Sequence, residues 1–182
     1  MGRIKQRNLM RLRRKRMHVG LAILSIITAL WWSNRSHWKR YHSTMLYITS
    51  GAFLYEFLTK DQTLWKFHPD FLFNYTLTVV VYAVLTMPLN ILLFLATLPE
   101  NGFWKKSRHI ALWIMIYASM EWVMVHTGRI TYQNNWNLFY SILFDIMMFP
   151  MMILHSRRPG RAYLLSIVII CFLMYAFRVH LE

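Results

Sequence analysis

Three carboxylic acids, Glu56, Glu121 and Asp145, fall inside long apolar stretches of this 182-residue chain, which holds only seven acidic residues in all. An ionisable group in hydrocarbon is costly, and it normally faces a bundle interior or a water-filled cavity. Around these acids the polar spacing is helical. Asn137, Ser141 and Asp145 fall at i, i+4 and i+8, Tyr117 lies four residues before Glu121, and His42, Thr49 and Glu56 recur every seven residues. Helical rise places Glu121 about 4–5 Å and Asp145 about 2 Å from the middle of their respective stretches, both displaced toward the connection between them. Glu121, Asp145, Glu56, Tyr117, Ser141 and Asn137 are therefore candidates for one polar pocket, with Asn137 at its mouth. Carboxylates clustered in low dielectric cannot all stay ionised, so at least one should hold a proton or share a cation. That is the material of a proton, cation or amine site. The plainer role for such groups is interhelical glue, each hydrogen bond contributing about 0.6–2 kcal/mol. In that role Arg129 or His126 would be the charge partner of Glu121.

The elements that must position these residues follow from hydropathy. Apolar residues make up 57% of the chain and charged ones 15%, well below the usual quarter for soluble domains. A helix needs about 20 apolar residues to cross a bilayer core. Six stretches qualify or nearly do: 17–33, 41–59, 71–98, 109–127, 137–155 and 162–180. The expected fold is an all-α polytopic transmembrane helix bundle of six spans. Residues 1–16 form a basic cytoplasmic tail, and 17–182 form a single transmembrane domain. The apolar run of the first span is too long for a signal peptide and ends in no small-x-small cleavage site, so it reads as a retained anchor.

Charge complicates the topology. The formal net charge is +14, and eight of the 21 basic residues lie in the first sixteen positions. The tail predicts contact with anionic lipid headgroups through Arg11, Arg13, Arg14, Lys15 and Arg16, and a cytoplasmic N-terminus. With six spans the tail side carries 12 basic residues and the opposite side 9. Without the tail the connections prefer the reverse orientation. A five-span alternative, in which the short first stretch fails to cross, puts the tail and the basic loops together. No aromatic platform or nucleic-acid motif accompanies the charge, so no nucleic-acid partner is expected.

A faint parallel two-helix repeat is also visible. Glu56, Trp65 and Pro88 in one unit answer to Glu121, Trp136 and Pro150 in the next. Tryptophans 31, 32, 38, 65, 104 and 136, with Tyr132, fall at span ends or in loops, where amphipathic rings prefer headgroup depth. Pro88 and Pro150 lie inside spans and predict kinks. The single cysteine, Cys171, excludes an internal disulfide and a thiolate cluster. His155 reads as an interfacial residue. No two histidines have zinc-motif spacing, and the methionines read as packing. With no nucleotide loop or nucleophile elbow, neither enzymatic activity nor a cofactor is expected.

Met120-Glu121-Trp122, Gly128-Arg129-Ile130-Thr131-Tyr132 and Trp136-Asn137 form the most distinctive stretch. With Tyr41-His42-Ser43-Thr44-Met45-Leu46 and His68-Pro69-Asp70, it resembles an uncharacterised family of small multi-pass membrane proteins from spore-forming Gram-positive bacteria. The resemblance covers spans two to five and leaves out the basic tail. It implies a bacterial plasma-membrane location and no reaction. The expected role is a structural, lipid-interacting or partner-interacting membrane protein, whose partner is a membrane protein or a second copy. The alternative is a small permease or channel component that binds a proton or cation at its buried carboxylates.

Overall fold

Two residues, Ser33 and Asn34, are enough to separate the first two helices, α1 (Met17–Trp32) and α2 (Arg35–Leu58), because Asn34 closes a capping box. Its side chain accepts from the His37 backbone N–H at 3.0 Å, and His37 Nδ1 accepts from the Asn34 N–H at 3.4 Å. This satisfies two otherwise unpaired donors. The cap starts α2 six residues before the apolar run that marks it in the sequence. The computed structural model describes residues 17–69 and 74–178, so the tail contacts expected of Arg11, Arg13, Arg14, Lys15 and Arg16 lie outside the described residues.

Helix α3 (Tyr75–Ala96) opens on Asn74, whose side chain accepts from Leu77 N at 2.8 Å. Within it, Pro88 lacks a donor and crowds the turn before it. The helix answers with a π-helical turn at Tyr82–Thr86, and Thr49 Oγ1 of α2 donates to the Ala83 carbonyl at 2.8 Å. Helix α4 (Phe103–His126) is followed by α5 (Leu138–Arg157), capped by Asn137. Arg158 alone separates α5 from α6 (Pro159–Ala176), which begins with proline where its missing N–H costs nothing.

Helices α3, α5 and α6 are long and apolar enough to cross a membrane, with mean hydropathies of 2.3, 1.7 and 1.7. Helices α2 and α4 have 24 residues each, but charge at their starts dilutes them. Helix α1 has 16 residues, about 24 Å of rise. It runs parallel to α3: His18 meets Tyr82, Ser25 meets Asn90, and Ala29 packs with Leu89 and Leu92. The core gathers Ile91 and Phe94 of α3, Trp113 of α4, Phe149 and Met152 of α5, and Ala162 of α6. Outward lie Leu164, Ile167, Val168 and Phe172 of α6, all exposed, an apolar girdle of the kind a bilayer covers.

Among the described residues the bundle is all-helical except for one pair of strands. β1 (Trp65–Phe67) in the α2–α3 connection pairs antiparallel with β2 (Ile130–Tyr132) in the α4–α5 connection. The register is Trp65↔Tyr132, Lys66↔Thr131 and Phe67↔Ile130. Glu56 precedes β1 by nine residues and Glu121 precedes β2 by nine, so the two helix–strand–helix units are offset by 65 residues. The central pair, Lys66↔Thr131, joins positions equivalent under that offset, as a local twofold axis through the strands requires. The helix packing is thus consistent with a repeat, but its equivalences differ from the sequence reading. Trp65 corresponds to Ile130, while Trp136 packs edge-on against Trp65 at 4.6 Å.

Candidate functional site

Glu121 stands in the last two turns of α4, and the β2 connection folds Ser141, in the first turn of α5, back onto it. Glu121 Oε1 accepts from three side chains on three elements: Ser141 Oγ at 2.5 Å, Tyr132 Oη at 2.8 Å and Trp65 Nε1 at 3.1 Å. Ser141 Oγ in turn accepts from Trp136 Nε1 at 2.8 Å and shares the Trp65 donor at 3.2 Å. The entry to β1 is held by Tyr55, whose hydroxyl oxygen accepts from the backbone N–H groups of Leu64 (2.9 Å) and Trp65 (3.0 Å). Charge-assisted hydrogen bonds are the strong ones, and here they lock both strands to the ends of α4 and α5. Burial, then the carboxylate it donates to, pushes the Tyr132 phenol above its ordinary value.

Asp145 lies one turn deeper on the stripe of Ser141. It is 6% exposed and makes no hydrogen bond or ion pair to a described residue. Electrostatically it faces Glu121 and the Tyr117 hydroxyl, and Tyr117 also faces Asn90. Tyr117, Asn90 and Ser25 then line a cleft of about 220 Å³ between α1, α3 and α4, whose other walls are mainly apolar. Ser25 Oγ donates to Asn90 Oδ1 at 3.2 Å on its floor.

Glu121, Ser141, Asp145 and Tyr117 therefore lie together. The other residues singled out by spacing do not join them. Glu56 accepts from Tyr75 Oη at 2.9 Å, in the other unit of the repeat. Asn137 is exposed and spends its side chain as the α5 cap, accepting from Phe139 N (3.0 Å) and Tyr140 N (3.2 Å). Arg129 makes no ion pair with Glu121; its Nη1 donates to the Pro69 carbonyl at 3.3 Å. His126 is exposed, bonds the Trp122 carbonyl at 2.9 Å and lies against the Trp122 ring at 4.0 Å. All of Glu121's partners are neutral.

Sequence reasoning missed Trp65, Tyr132 and Trp136 as members of the site, having assigned them to the headgroup layer. Trp136 is only 4% exposed, clasped between Trp65 and Phe177. Strands of three residues leave no period to detect, so nothing in the sequence brings Trp65 to Glu121. His155, at the end of α5, is buried within the bundle. Its Nδ1 pairs with Thr44 Oγ1 at 3.0 Å and its ring stacks on Tyr47 at 4.1 Å. Likewise His18, fully buried, bridges Tyr82 Oη (3.0 Å) and the His68 carbonyl (2.9 Å). Among the described residues no three His, Cys, Asp or Glu side chains converge as metal ligands would. No protein-family model matches the chain, and neither a curated protein nor a solved structure is significantly similar to it.

Proposed function

We propose that the chain is a six-span protein of a bacterial cytoplasmic membrane, with its N-terminus inside, that acts through contact with lipid or another membrane protein and not through catalysis. The basic tail would meet anionic headgroups, and the protein partner would be a membrane protein or a second copy. The bacterial setting rests on the resemblance of the Glu121–Tyr132–Trp136 stretch. The observation that carries the role is the set of partners around Glu121. Three neutral donors from β1, β2 and α5 converge on one carboxylate oxygen, leaving the acid as a tie between connections. A group that loads and releases a cation needs ligands that can be exchanged, and these donors are tied to the fold.

One observation favours a second reading, a small proton or cation permease. Asp145 is buried without a hydrogen-bond donor beside Glu121, and Tyr117 extends that polar line to the cleft. Flux into proteoliposomes, driven by an acid quench, separates the two. The tie predicts proton entry no faster than in empty vesicles for both wild type and Glu121→Gln. Entry that is rapid in wild type and lost in Glu121→Gln would overturn it in favour of the permease.

A further inference from the structure

The end of the bundle opposite the strands concentrates positive charge. Lys39 and Arg40 lie in the first turns of α2, Lys105, Lys106 and Arg108 in those of α4, and Arg157, Arg158 and Arg161 around the α5–α6 turn. Seven of the eight are exposed and Lys106 is half-buried; none makes a side-chain hydrogen bond or ion pair to a described residue. The one described acid at that end is Glu100. The strand end differs among the described residues, since Lys60, Lys66, Arg129 and Arg178 stand there with Glu56, Asp61 and Glu121, and Asp145 lies one turn deeper. Next to the cations stand exposed rings, Trp31, Trp32, Phe103 and Trp104, 61–80% accessible. Such rings settle at headgroup depth, and arginine forks match phosphate oxygens in pairs.

We infer that this far end is a docking surface for the phosphates of anionic glycerophospholipids, built from the starts of α2 and α4 and the α5–α6 turn. The inference rests on the membrane reading above and adds the lipid class and the surface that selects it. The occupant follows from position and charge complementarity. Arg157, Arg158 and Arg161 continue directly from the apolar girdle of α6, and the other cations share that end of the bundle, so the layer they reach is the headgroup layer. Long basic side chains extend toward it while their stems cover the apolar helix ends.

Electron spin resonance of spin-labelled lipids, with the full chain in phosphatidylcholine nanodiscs, tests this. Labelled phosphatidylglycerol should associate with wild type at least about threefold more strongly than labelled phosphatidylcholine, and high salt should reduce the ratio. Two charge-removing variants separate the surfaces. Replacing Lys105, Lys106, Arg108, Arg157, Arg158 and Arg161 by Gln should remove most of the preference. Replacing Arg11, Arg13, Arg14, Lys15 and Arg16 by Gln should remove only the tail's share. A preference unchanged in the first variant would overturn the inference. So would displacement of phosphatidylglycerol by millimolar inorganic phosphate, which would mean a site for the free ion. If the first variant refolds poorly, Arg157→Gln, Arg158→Gln and Arg161→Gln alone should still reduce the ratio. A chain that does not enter nanodiscs at all would instead defeat the membrane reading.

Discussion

Glu121 and Asp145 are two neighbouring carboxylates, one turn apart in depth, whose surroundings ask opposite things of them. Glu121 has three donors on one oxygen, and removing it strips Tyr132 and Ser141 of this acceptor and leaves Trp65 only its longer bond to Ser141. Unmade buried hydrogen bonds cost about 1–3 kcal/mol each. Glu121→Ala should therefore lower stability by at least about 2 kcal/mol, and Glu121→Gln, which keeps an acceptor but loses the charge, by about 1 kcal/mol. Asp145 has no donor to lose and faces another acid. Asp145→Asn should leave stability unchanged or raise it, because like-charge repulsion disappears and no cation is stranded. Thermal unfolding in detergent measures both. A larger loss for Asp145→Asn than for Glu121→Ala would show that Asp145 has a cationic partner and would sink this assignment of roles.

The elements show how far the sequence could be read. Apolar length finds the six described helices, and the i+4 spacing of Ser141 and Asp145 puts them on the face that meets Glu121 and Tyr117. What spacing cannot reveal is the use of a polar side chain by its own backbone. Asn137 shares the stripe of Ser141 and Asp145, yet it ends up as the N-cap of α5, because a residue just before a helix satisfies donors that nothing else reaches. The pairing of Trp65 with Tyr132 is equally invisible, since it depends on two connections 65 residues apart meeting at one end of the bundle. Asn137→Ala should cost about 1 kcal/mol of stability, and Asn137→Ser or Asn137→Asp should restore most of it. If Asn137 instead served a pocket, neither rescue should follow the capping rank, and thermal unfolding of the three variants would show that.

At the scale of the whole molecule, the two ends compete for the cytoplasm. The far end carries the cations of α2, α4 and the α5–α6 turn, and by the positive-inside rule those connections alone would face inward. The opposing weight is the tail, with eight basic residues in its first sixteen positions. The tail leads into the start of α1, where His18 is buried against His68 and Tyr82 at the strand end. Helix α1 follows α3 from that end toward the other, so a six-span topology would put the start of α1 and the far end on opposite sides. A single thiol can decide which end wins. With Cys171 replaced by Ala, Ser36→Cys marks the far end and Asp61→Cys the strand end, both exposed. A membrane-impermeant maleimide added to intact cells should label Ser36→Cys at once and Asp61→Cys only after permeabilisation. The reverse pattern would retire this six-span orientation, since it fits either five spans, with Ser36 inside beside the tail, or six spans inverted, and labelling of both from one side would mean that α2 does not cross. If the tail supplies the deciding charge, replacing Arg11, Arg13, Arg14, Lys15 and Arg16 by Gln should leave the far end the more basic. Asp61→Cys should then become reactive from outside in a substantial fraction of molecules. Labelling unchanged by that replacement would mean that something other than the tail sets the orientation.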